Sequence, residues 1–293
     1  MDSQAHRKQA RFLVLSSLSV LISAVLISAC GQPLPTPHAP VLLRLSGSTS
    51  MQPLLHDLAA AYSQQHKYVS FDLTSVGSAA GMEMLRRGNA DLALVARSLK
   101  PDEEYDSHTR ERLLAYTVIA WDGIAIVVNE QNPVRALTLY QVRKIFAGQI
   151  ASWEELGGPG GEILVISRED GSATREVFEE LVIRGRRVTT TALIMPSSEA
   201  VRNYVATHEG AVGYLSMGYV GAGIAALAID GVLPNRQTVE DGSYPISRPF
   251  LLVSLPEPDA QVTAFMQFAR SPAGQSIVGR AYGGARARGG SGQ

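Results

Sequence analysis

Three turns in this chain place small hydroxyl residues where an apolar run gives way to helical spacing: Gly47-Ser48-Thr49-Ser50, Gly77-Ser78-Ala79-Ala80-Gly81 and Asp170-Gly171-Ser172-Ala173-Thr174. A helix N-terminus presents N–H groups without intrahelical partners and carries partial positive charge, so it favours an anion. Taken singly, Ser48, Ser78 or Ser172 reads as an ordinary helix cap. Three such turns, with Arg168 just ahead of the third, point to a small oxyanion held from several sides. Such an anion loses a large hydration energy on leaving water, and aimed donors must replace it. Hydrogen bonds to a charged group contribute roughly 1.5–3 kcal/mol each, so a dozen donors cover desolvation and leave useful affinity.

Other chemistries fit less well. The six histidines are scattered without metal-ligand spacing, so no metal site and no cofactor is expected. Gly157 to Gly161 lacks the Lys-Ser/Thr ending of a nucleotide loop. A hydrolase using Ser172 with His208 is disfavoured, because no Gly-x-Ser-x-Gly elbow surrounds that serine. The net charge is −1 and no basic stripe interleaves with aromatics, which argues against nucleic acid as a partner.

The elements that must position the turns alternate strand and helix. Val41 to Leu45 is strand-like, and Met51, Leu54, Leu55, Leu58, Ala61 and Tyr62 then share one helical face, with Pro53 in the first turn. Val69 to Leu73 leads to the second turn and a short helix carrying Met82 and Leu85, which Gly88 stops. Leu92 to Val95 is another short apolar strand. Ile124 to Val128 is apolar on both faces, as expected of a buried central strand. Leu139, Val142, Ile145 and Phe146 mark an amphipathic helix. Ile163 to Ile166 enters the third turn, after which Val177, Phe178, Leu181 and Val182 face inward. This order predicts an α/β fold with largely parallel sheets, whose ligand sites lie beyond the carboxyl ends of the strands.

The first residues speak to compartment. His6, Arg7, Lys8 and Arg11 precede an apolar stretch from Phe12 to Ala29, which ends Leu26-Ile27-Ser28-Ala29-Cys30. A basic start, an apolar middle and small residues at the end read as an export signal over residues 1–29. Ile-Ser-Ala-Cys resembles the bacterial lipobox, so Cys30, the chain's single cysteine, is expected to be lipid-modified and to hold the protein to a membrane outside the cytoplasm. Residues 30–40 read as a proline-rich tether, and residues 283–293 as a disordered glycine- and arginine-rich tail.

In longer stretches the chain resembles the substrate-binding protein of the bacterial phosphate-specific ABC transporter, in its shorter lipoprotein form, from about Leu45 to Tyr282. Gly47-Ser48-Thr49-Ser50-Met51 is similar to that family's first phosphate loop, and Asp122 to Asn129 with Asn132-Pro133 to the crossing into the second lobe. Leu137-Thr138, Gln141, Ile145-Phe146, Gly148, Ile150, Trp153 and Leu156-Gly157-Gly158 follow a long family signature. Arg168 to Arg175 resembles the second-lobe phosphate loop. Gly213 to Ser216 and Gly242 to Pro249 resemble the return to the first lobe.

The resemblance implies a two-lobed periplasmic-binding-protein fold of type II, with two chain crossings forming a hinge. The first lobe is expected to comprise 41–123 plus 224–282, and the second 124–223. It implies a monomeric receptor that binds inorganic phosphate and serves the membrane subunits of an ABC permease. Ser48, Thr49, Ser50, Ser78, Arg168, Gly171, Ser172, Ala173 and Thr174 would contact the anion, with Asp170 orienting Arg168. Arg97, Arg175 and Arg248 remain open between ion pair, solvated face and anion contact. The chain departs from the family where Val95-Ala96 replaces a polar pair, where Ala173 replaces a glycine, and where Ala79-Ala80 replaces Gly-Thr. Sulfate, molybdate or tungstate therefore stay open as ligands, as does a sensing or scavenging role.

Overall fold

The computed structural model describes residues 39–285; the expected export signal, Cys30, residues 31–38 of the tether and residues 286–293 of the expected tail lie outside the described residues. The strands are β1 (Val41–Gly47), β2 (Val69–Ser75), β3 (Leu92–Val95), β4 (Ala115–Asn129), β5 (Ala136–Leu137), β6 (Leu164–Arg168), β7 (Leu193–Met195), β8 (Ala211–Ser216), β9 (Ile224–Ala226), β10 (Ala228–Ile229), β11 (Ser247–Ser254) and β12 (Gly283–Gly284). The α-helices are α1 (Gln52–Gln65), α2 (Ser78–Arg86), α3 (Pro101–Glu104), α4 (Leu139–Phe146), α5 (Ala173–Phe178), α6 (Ser198–Thr207), α7 (Arg236–Glu240), α8 (Ala260–Arg270) and α9 (Pro272–Val278).

The main sheet runs β2-β1-β3-β11-β4-β8-β6-β7, and β4 belongs to both of its halves. Up to Gly123 this strand pairs with β11; from Ile124 it pairs with β8. The first lobe is built on β2, β1, β3 and β11, the second on β8, β6 and β7. Within each lobe the strands that end in a turn are parallel neighbours, β1 with β2 and β3, and β6 with β7 and β8. The sheet as a whole is mixed, where sequence patterning predicts largely parallel pairing. β11 is antiparallel to both β3 and β4, because the chain leaves the first lobe along one of these strands and re-enters along the other.

Local sequence accounts for the elements. In β4, Ile124 to Val128 are all buried, as an apolar run on both faces requires. α1 carries Pro53 in its first turn, where a missing N–H leaves no intrahelical bond unmade, and buries Leu54, Leu55, Leu58 and Tyr62. Thr138 and Gln141 form the capping box that starts α4. α2 lies directly on the end of β1. A Cβ at Gly81 would stand 2.4 Å from the Ser46 carbonyl oxygen, so only glycine permits that approach.

Two boundaries differ from expectation. β9 pairs with Val127–Asn129 and β10 with β5, so the segment just after 223 still belongs to the second half of the sheet. Gly223, with φ +86°, turns the chain back rather than carrying it across. Gly283 and Gly284 are not frayed but pair with Trp121 and Ala120 as β12. Their lack of side chains suits the place, since a Cβ on Gly283 would stand 3.0 Å from Val239.

Candidate functional site

The three hydroxyl turns converge. Gly47, at the end of β1, gives its carbonyl to the N–H groups of Val76 and Gly77 at 3.0 and 2.9 Å, which joins the first turn to the second. Ala79 N–H donates to the Gly171 carbonyl at 3.4 Å, joining the second to the third across the lobes. Ser50 Oγ lies 2.8 Å from Thr174 Oγ1, joining the first to the third.

Each residue has a definite place there. Ser48 caps the short 3-10 turn Thr49–Met51, its hydroxyl accepting from Ser50 N–H. Ser172 caps α5 by accepting from Arg175 N–H. With these two hydroxyls engaged, α5 offers the N–H groups of Ala173 and Thr174, which have no partner within the helix. Gly171 bends the loop at φ +82°. Ser78 is buried at the start of α2, where its hydroxyl donates to the Leu94 carbonyl and accepts from Ala96 N–H. Thr49, Ser50 and Thr174 are buried with their side-chain oxygens at the junction of the lobes.

Arg168 ends β6 and is 1 % exposed. It donates through Nη2 to Thr49 Oγ1 at 3.1 Å and through Nη1 to Ser198 Oγ at 3.3 Å. Glu169 holds the guanidinium, with Oε2 2.8 Å from Nε and Oε1 2.9 Å from Nη2. This corrects the expectation for Asp170. That carboxylate is 96 % exposed on the turn and faces Arg175 Nη1 at 2.8 Å. Asp170 follows the last residue of β6 by two and points outward, whereas Glu169 is long enough to fold back along its neighbour's fork.

Sequence reasoning missed Ser198, Asp122 and Glu169 as parts of this site and left Arg248 undecided. Ser198 Oγ lies 3.2 Å from Ser50 Oγ, at the first position of α6. Its signal was a fourth hydroxyl turn, Ser197-Ser198, ahead of helical spacing. Arg248, in β11, is 1 % exposed and donates from Nη1 to Thr174 Oγ1 at 2.8 Å and to the Ala96 carbonyl at 3.3 Å. Its Nε donates to Asp122 Oδ2 at 3.0 Å, while Ser216 donates to Asp122 Oδ1 at 2.8 Å. Burial pushes the Asp122 carboxyl up to about 6, against the opposing pull of Arg248 and Ser216. Burial likewise lowers Arg248, and the attraction of Asp122 opposes that shift.

Outside this junction, Glu176 of α5 bridges to the first lobe. Its carboxylate lies 2.8 Å from Arg97 Nε and 2.6 Å from Lys100 Nζ. Tyr219 adds another link, donating to the Thr49 carbonyl at 2.8 Å. Among the described residues no cluster of three or more His, Cys, Asp or Glu could hold a metal ion. His208 stacks on Tyr204, and the Ser172 hydroxyl caps α5.

Two lobes on a shared strand, with buried donors from both converging between them, define a two-lobed binding protein whose cleft is built for an anion. A family profile described as a PBP superfamily domain matches residues 34–273. Phosphate-binding protein PstS of Bacillus subtilis is 30 % identical over 205 residues, covering 70 % of this chain and 67 % of that protein. The chain belongs to this phosphate-binding protein family within the PBP superfamily. Among solved structures, one described as a phosphate ABC transporter substrate-binding protein from Clostridium perfringens, with bound phosphate, superposes with a TM-score of 0.77 at 35 % identity. It covers 83 % of this chain and 99 % of its own. An ABC-type phosphate transport receptor from Vibrio cholerae gives a TM-score of 0.66 at 33 % identity, covering 80 % and 96 %.

Proposed function

We propose that this protein is an extracytoplasmic receptor that takes inorganic phosphate between its lobes and delivers it to the membrane subunits of an ABC permease, held to the membrane through Cys30. The observation that carries this reading is Arg168. Its buried guanidinium, steadied on one side by the partly exposed Glu169, turns its other N–H groups to hydroxyls of both lobes, which suits an anion received between them.

In this reading Arg168 grips two phosphate oxygens. Thr49, Ser50, Thr174 and Ser198 give O–H donors, and Ala173 and Thr174 give backbone N–H. Ser48, Ser78, Gly171 and Ser172 act by shaping the turns that carry these donors. Hydroxyls and backbone amides add no mobile charge, so the lobes can close on a doubly charged ion without stranding counter-charge in the cleft. A second reading, another tetrahedral oxyanion, draws support from Ala96, which brings only its backbone to the place of a polar side chain.

Calorimetric titration of the anion-stripped protein with phosphate, sulfate and molybdate tests both. Phosphate binding at micromolar or tighter dissociation constant, roughly −8 kcal/mol or better, with weaker sulfate and molybdate, is the expected outcome. Preference for either rival anion would replace the ligand, and silence toward all of them would remove the function.

A further inference from the structure

The hydroxyl groups between the lobes form a chain with an arginine at each end. Arg168 donates to Ser198 Oγ, Ser198 Oγ lies against Ser50 Oγ, Ser50 Oγ against Thr174 Oγ1, and Arg248 donates to Thr174 Oγ1. A guanidinium has N–H donors and no acceptor, while a hydroxyl has a single proton and two lone pairs. Thr174 and Ser198, each accepting from an arginine, must therefore give their protons away from it. Both have those protons to give, to Ser50 as the groups stand here or to an anion between the lobes, and Ser50 in accepting them keeps its own proton free for the ligand. Thr49 Oγ1, accepting from Arg168, is constrained in the same way. The arginines thus set the polarity of the whole cluster, so that it meets a ligand with protons and not with lone pairs.

Resting on the anion-receptor reading above, we propose that Arg248 is a positioning residue of this site, acting through Thr174 to make the hydroxyl chain a row of donors. It is held in place by Asp122, which Ser216 in turn holds, and it also donates to the Ala96 carbonyl. That carbonyl is the backbone acceptor at the corner where the family pattern places a polar side chain, and Arg248 removes it from competition. The cluster then offers an anion donors from both lobes, with Arg168 serving the first lobe's hydroxyl and Arg248 the second lobe's.

A double-mutant cycle tests this, with calorimetry on whichever of phosphate, sulfate and molybdate the wild-type protein binds. The variants are Arg248→Lys, Thr174→Val and the pair together, each checked by thermal melting. Arg248→Lys keeps the charge beside Asp122 but cannot serve Thr174, Ala96 and Asp122 in one plane. Each single variant is expected to weaken binding on the order of tenfold or more. The double variant should be no weaker than the worse single, because both break the same link. Losses that multiply, or unchanged affinity in a folded Arg248→Lys protein, would overturn the proposal. If that variant does not fold, Asp122→Asn with Arg248→Gln removes the two buried charges together; wild-type affinity in that protein would overturn it equally. A wild-type protein that binds none of the three anions sinks the receptor function itself, a separate failure.

Discussion

Two arginine–carboxylate pairs reach across the cleft in opposite directions, and they differ in what stands behind them. Arg168 comes from the second lobe and touches Thr49 of the first; its carboxylate, Glu169, is 30 % exposed. Arg248 comes from the first lobe and touches Thr174 of the second; its carboxylate, Asp122, is wholly buried. A partly wetted partner can rejoin water when its arginine is removed. A dry one cannot, because the attraction between buried charges offsets a large desolvation cost only while both are present. The same pair of functional groups therefore serves as a replaceable grip at one end and as a pin of the fold at the other.

The largest expected effect comes from breaking the dry pair. Arg248→Ala should lower unfolding free energy by about 3–5 kcal/mol, read from urea titration, since it leaves Asp122 buried and alone. Next, Arg168→Ala should leave the melting curve close to wild type yet lose two charged contacts. At roughly 1.5–3 kcal/mol each this weakens phosphate binding by two to four orders of magnitude in calorimetry. Equal stability losses in the two variants would erase the distinction. Glu176→Gln, which loosens a half-exposed bridge between the lobes, should cost about 0–1 kcal/mol. Its signature is anion release a few-fold faster in stopped flow at low salt, converging with wild type as salt rises. Asp170→Asn should change affinity by no more than about 0.5 kcal/mol, because its carboxylate is almost wholly exposed and pairs with Arg175 and not with Arg168. A large loss there would return Asp170 to the role the sequence resemblance implied.

The gathering of Ser48–Ser50, Ser78 and Gly171–Thr174 was legible because each turn is a local event: a strand ends, a small residue turns the chain, a hydroxyl starts a helix. What was not legible depends on direction or distance. Which of two adjacent acids, Glu169 or Asp170, turns back to the arginine is decided by how the backbone leaves β6, and composition is silent on that. Ser198 sits 148 positions from Ser50, and only the packing of α6 against the first turn makes them neighbours. Arg248 lies in a strand beside Pro249, Phe250 and a run of aliphatic residues; a cation there has to be paired, but the sequence does not say with whom. The shift of the lobe boundary past 224 has the same origin, since β9 and β10 are three and two residues long and carry little pattern of their own.

β4 continues for 15 residues without a break and exchanges β11 for β8 at Gly123–Ile124. Opening the molecule must therefore flex this continuous ribbon together with the segment by which the chain returns to β11. The flexing point falls beside Asp122, and Gly123 is so closely packed that a Cβ would stand 3.1 Å from Val239. One pivot of such a swing thus lies at the residue next to the buried ion pair, so a mechanical pivot and the electrostatic anchor are neighbours in the same strand.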